Sequence, residues 1–75
     1  MIAHVGQKFQ TIDGSIVEIS YFANIGKGYD HIAFVGDKRF DYTTDGRCFA
    51  VMGRSNKSKY LKVEITQETH PEEFL

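Results

Sequence analysis

Apolar side chains recur at every second position in several short windows, the period of strands that set one face against a core. Leu61, Val63 and Ile65 alternate with Tyr60, Lys62 and Glu64; Phe40 and Tyr42 alternate with Arg39, Asp41 and Thr43. Val17, Ile19 and Tyr21 alternate with Glu18 and Ser20, and no long window carries helical spacing. Asp13-Gly14, Gly36-Asp37 and Asp45-Gly46 stand between such windows. Hairpin turns of two residues need positive φ, which Gly adopts freely and Asp tolerates. The pattern therefore predicts six strands, at 7–12, 15–22, 31–35, 38–43, 47–52 and 60–66, with longer connections at 23–30 and 53–59.

So many short antiparallel strands in so few residues must bend to cover a hydrophobic face. The expected fold is all-β: a small, strongly bent antiparallel sheet or partly open SH3-like barrel of five to six strands. Residues 1–66 form this single domain, and 67–75 form an acidic C-terminal tail. Pro71-Glu72-Glu73 suits the start of one helical turn, and Phe74-Leu75 could fold back as a plug.

Two stretches break the alternation. Cys48-Phe49-Ala50-Val51-Met52 and Ile32-Ala33-Phe34-Val35 are apolar on both parities, so both faces of those strands need cover. That cover comes from within the chain, through the N-terminal strand, the Phe74-Leu75 end or barrel curvature, or else from a second copy or a different protein.

A chain of 75 residues makes one domain. It buries only about 60–65% of the surface its unfolded form exposes, so a deep catalytic cleft is not expected. Nine basic and ten acidic residues leave a formal charge of −1, which gives no global field to draw in a polyanion. Cys48 stands alone, so no internal disulfide forms. The opening Met1-Ile2-Ala3-His4-Val5 lacks the pattern of a secretion signal, and no apolar run reaches bilayer length. A cytoplasmic protein without membrane contact is the expectation.

Thr11-Ile12-Asp13-Gly14 and Thr43-Thr44-Asp45-Gly46 echo one another. We read each as a strand end followed by a turn. Acid–base chemistry would need a second carboxylate with a displaced pKa, and a calcium loop would need more alternating oxygen ligands. Gly26-Lys27-Gly28 lacks the spacing, the Lys-Ser/Thr pair and the helix of a phosphate loop. Cys48 sits in an apolar run, where a thiol packs as a small hydrophobe. His4, His31 and His70 have no metal-ligand spacing, so neither metal nor cofactor is expected. Arg54, Lys57 and Lys59 with Tyr60, together with Lys27, form the one combination suited to gripping phosphate and stacking a base.

Gly6, Thr11-Ile12-Asp13-Gly14, Tyr42-Thr43-Thr44-Asp45-Gly46-Arg47 and Ser58-Lys59-Tyr60-Leu61 follow in that order along the chain. In this arrangement the chain resembles a group of small single-domain proteins encoded by bacteriophages and prophages. The resemblance implies a small SH3-like β fold and an accessory role in infection, with no known catalytic residues. The basic stretch 53–59 and the tail beyond Thr66 depart from the shared pattern.

The expected function is therefore a non-enzymatic protein-binding module, a phage-encoded accessory factor that docks on and modulates a host or defence protein in the host cytoplasm. Its expected contacts are Phe49, Val51, Tyr29 and His31, helped by exposed edge strands, with homo-oligomerisation open. The alternative is a single-stranded nucleic-acid-binding barrel that uses Lys27, Arg54, Lys57, Lys59 and Tyr60.

Overall fold

The computed structural model describes residues 2–24, 28–49 and 55–74. Six strands form one antiparallel sheet: β1 (Lys8–Thr11), β2 (Ile16–Phe22), β3 (His31–Val35), β4 (Lys38–Tyr42), β5 (Cys48–Phe49) and β6 (Leu61–Glu64). The order is β5-β4-β3-β2-β1-β6, and the sheet is strongly curled into a half-barrel. Each predicted strand is present; the third has the expected bounds, the first, second, fourth and sixth are slightly shorter, and positions 50–52 of the fifth lie outside the described residues. The described helical structure consists of short 3₁₀ turns at Lys57–Lys59 and Pro71–Phe74. No helix among the described residues is long and apolar enough to cross a membrane.

The inner face carries the core. Phe9, Val17, Ile19, Ala33, Tyr42, Cys48 and Leu61 pack together with Ala3, and Phe40 and Tyr60 lean on them. Fully burying a side chain such as Ile19 or Phe9 stabilises by roughly 1.5–3 kcal/mol, so a handful of these residues carries most of the domain. The curl brings the edges together at one end, where Leu61 pairs with Thr11 on β1 and its N–H donates to the Gly46 carbonyl at 2.9 Å. The N-terminal segment runs from the β4–β5 turn to β2, with Ala3 N–H on Thr44 O at 2.7 Å and Gly6 N–H on Ile19 O at 2.8 Å.

The Asp-Gly turns are longer than the two residues expected. In both, the Gly N–H closes on the carbonyl of the Thr three residues earlier, Gly14 on Thr11 and Gly46 on Thr43, each at 3.0 Å. Only the glycines take positive φ, +87° and +93°, and the aspartates do not. These are three-residue loops in which a left-handed glycine follows the turn and forms a bulge. Gly36-Asp37 is the two-residue turn predicted, since Val35 pairs directly with Lys38.

Two bulges shift the side-chain parity read from sequence. On β2, Ile19 faces Ala33 but Tyr21 faces Ile32, so Ser20 is the extra residue and Tyr21 turns away from the core. On β6, Leu61 faces Thr11 while Val63 faces Gln10, so Val63 leaves the inner face and Glu64 comes opposite Phe9. The clearest alternation in the sequence is thus interrupted.

Pro71–Phe74 makes the expected single turn, tied down by His70 N–H on Thr66 O at 2.8 Å. Of the expected Phe74-Leu75 plug, Phe74 stays 55% exposed and does not enter the core, and Leu75 lies outside the described residues. It lines a shallow cleft of about 210 Å³ with Gly6, Gln7, Lys8, Ile65 and Glu73.

Candidate functional site

The register assigns every side chain of β2, β3 and β4 to a face. Ala33, Phe40 and Ile19 are paired on the inner face, so Ile32, Phe34, Arg39, Asp41, Glu18 and Tyr21 share the outer one. Phe49 pairs with Asp41 and joins them. Ile32 is fully buried yet stands apart from the inner core, so a second apolar layer covers the outer side of β3.

The outer face carries two aromatic pairs. Tyr29, from the connection before β3, stacks on Phe49 with ring centroids 5.2 Å apart and planes tilted by 30°. Of the doubly apolar stretch 48–52, the two described residues are covered within the chain, Cys48 in the core and Phe49 half-covered by Tyr29, and 50–52 lie outside the described residues. On the other side of Ile32, Tyr21 and Phe34 lie 6.3 Å apart, each 43% exposed. The Arg39 Nε donates to Asp41 Oδ1 at 2.8 Å along the flank of this pair, and the carboxylate raises the Arg39 pKa. The sheet thus presents adjacent aromatic rings to solvent, beside an ion pair that neutralises itself.

Of the residues expected to bind protein, the structure brings Tyr29 and Phe49 together on this face. His31 lies on the opposite one, in a row with Tyr42 and Cys48. Its ring meets the edge of Phe22 at 5.1 Å, and its buried Nδ1 has no hydrogen-bond partner among the described residues. Val51 lies outside the described residues. Tyr21 and Phe34 were not singled out from the sequence. Phe34 belonged to a run recognised as doubly apolar, whereas Tyr21 reaches the outer face only through the β2 bulge.

Both sheet edges are blunted. Ser55 bridges to Phe49, and Asn56 N–H donates to Cys48 O at 2.9 Å, which occupies β5. On β6 the Leu61 N–H is held by Gly46, and Thr69 Oγ1 donates to Glu64 O at 2.7 Å. Short, capped edges of this kind discourage strand addition, against the expectation that exposed edge strands help to bind a partner.

The basic loop is organised differently from the expectation. Lys59 Nζ donates to Asp13 Oδ2 at 2.7 Å and to Ser15 Oγ at 2.9 Å, and it sits 5.6 Å from the centre of the Phe40 ring. Its side chain is only 19% exposed. Tyr60 packs on the core, Lys57 is exposed, and Lys27 and Arg54 lie outside the described residues. The Lys59 ammonium, then the hydroxyls of Thr11 and Ser15, hold the Asp13 carboxyl well below the usual carboxylate range.

The two Thr-x-Asp-Gly turns share one hydrogen-bond plan. In each, the buried Thr hydroxyl donates to the Asp two residues on and accepts the backbone N–H two residues beyond that, from Ser15 at 3.1 Å and from Arg47 at 3.0 Å. The Thr43 hydroxyl lowers the Asp45 pKa in the same manner. Together the turns seat residues 58–61. Ile12 and Asp13 N–H donate to the Tyr60 and Ser58 carbonyls at 3.1 and 2.9 Å, and Gly46 receives Leu61. The echo is a pair of matched clamps.

Burial pushes the Cys48 thiol up to about 11 and the Tyr42 hydroxyl above its usual range, so neither ionises near neutrality. Tyr42 donates to Lys59 O at 2.8 Å and so helps fix the clamped segment. No group of three or more His, Cys, Asp or Glu able to hold a metal ion occurs among the described residues. Comparison with protein-family models, with curated proteins and with solved structures finds no match to this chain.

Proposed function

We propose that the protein is a non-enzymatic binding module that docks another protein on the outer face of β2, β3 and β4. The observation that supports this reading is the exposed Tyr21–Phe34 pair on two central strands above a buried Ile32. Aromatic and arginine side chains are what well-packed protein interfaces gather at their centres. Hydrogen-bonded strands hold these rings with little conformational freedom, so little entropy is lost on binding.

The flanking charges favour a protein over a nucleic acid. Arg39 is neutralised by Asp41 and Lys59 by Asp13. A phosphate backbone needs uncompensated cations along its track. A host or defence protein as the partner is the narrower form of the proposal, supported by the phage-like turn and strand pattern of the sequence.

Affinity capture by the full chain from a bacterial lysate tests the reading, with Phe34→Asp, Lys57→Glu and nuclease treatment as separate arms. Phe34 is exposed, so the charge should leave the fold intact, and circular dichroism checks this. The expected result is a retained protein lost with Phe34→Asp and indifferent to Lys57→Glu and to nuclease. Retention indifferent to Phe34→Asp, or abolished by nuclease, overturns it.

A further inference from the structure

The outer face has a symmetry of its own in the order of its side chains. One row across the sheet reads Glu18, Phe34, Arg39, and the next reads Tyr21, Ile32, Asp41, from β2 through β3 to β4. Apolar residues occupy the middle strand in both rows. The positions on either side of it carry chemistry that is complementary across the strand: carboxylate against guanidinium in one row, phenol against carboxylate in the other.

We infer that the first partner of this face is a second copy of the chain, packed face to face about a two-fold axis that runs along β3. This rests on the sheet-face reading above and names its occupant. Such an axis lays β2 of one copy over β4 of the other. Glu18 then meets Arg39 of the second copy, the Tyr21 hydroxyl meets the Asp41 carboxylate, and Phe34 meets its own counterpart, while Ile32, fully buried, takes no part in the contact. A two-fold interface requires this self-complementarity, in which residue i touches j and j touches i. Sheets pack face to face about 10 Å apart, a gap that Glu and Arg side chains span together.

The curl sets the strength. A convex sheet touches its copy along its three central strands, a footprint of a few hundred Å², below the roughly 800 Å² per partner of a standard stable interface. The dimer is therefore weak, forming at micromolar concentration or above.

Sedimentation of the full chain from micromolar to millimolar concentration, with Glu18→Arg, Arg39→Glu and an equimolar mixture of the two variants, tests the geometry. Each variant alone opposes like charges at both contacts, which weakens association by about tenfold or more. The mixture restores both contacts: the arginine introduced on β2 of one chain meets the glutamate introduced on β4 of the other, and the native Glu18–Arg39 pair forms at the second contact. Dimerisation of the wild type, loss in each variant and recovery in the mixture are expected. A wild type that is monomeric throughout, variants that associate as it does, or a mixture no stronger than its parts would overturn the inference. Glu18 and Arg39 are exposed, so folding should persist. Should either charge variant fail to fold, Phe34→Ala provides the second test, and its association should also weaken. A monomeric wild type that still retains a protein through Phe34 removes only the second copy as occupant, whereas capture indifferent to Phe34 removes the sheet-face reading itself.

Discussion

Asp13 shows how one side chain can serve the fold while resembling a catalytic group. Its carboxylate collects the Lys59 ammonium together with the Thr11 hydroxyl and the Ser15 backbone N–H, joining the first turn to a segment far along the chain. Because these donors lower the folded pKa, the pair stabilises the protein above the unfolded value of about 3.9 and loses that contribution as pH falls through the lower folded value. Asp45, lowered by Thr43, acts in the same direction. Thermal melting across the acid range should therefore show Tm falling below about pH 4, with a shallower fall in Asp13→Asn. An equal slope in the variant would contradict this role. The pairing was not legible in the sequence: Asp13 and Lys59 are 46 residues apart, and nothing local distinguishes Lys59 from Lys57.

Among elements, the strands were the most legible and the turns the least. Alternation in 16–22 and 38–42 follows from the period-two geometry of a half-buried strand, and the structure follows it up to the bulges. A bulge adds one residue without any residue type announcing it, so the outward turn of Tyr21 and of Val63 had no signal. Asp-Gly marked each turn correctly but not its length, which the buried Thr hydroxyls decide. The two clamps differ in one testable respect. A Cβ on Gly46 would come 3.1 Å from Leu61 Cβ, whereas one on Gly14 would meet nothing within 4 Å, and both sites have positive φ. Gly14→Ala should therefore cost about 1 kcal/mol from backbone strain, and Gly46→Ala roughly 1–3 kcal/mol, in denaturant unfolding. Equal losses would show that the Leu61 contact yields freely.

Over the whole molecule, the half-barrel is closed at one end through Leu61, and its edges are occupied by the chain itself. The outer side of its middle strands carries the exposed Tyr21–Phe34 pair. The sequence indicated that some strand needed cover on both faces, and it located Phe49 and Tyr29. It could not show that these two cover each other while Tyr21 and Phe34 stay exposed, since that depends on where Tyr29 sits relative to β5 in the folded sheet.

Amide chemical shifts followed as the protein is concentrated from micromolar to millimolar test the central claim most directly. The account predicts changes confined to the outer-face positions of β2, β3 and β4, centred on Phe34 and reaching Glu18 and Arg39. A spectrum that does not change at all would remove the second copy as the occupant of this face, and changes centred on Lys57–Lys59 or on the cleft beside Phe74 would contradict the sheet-face reading itself.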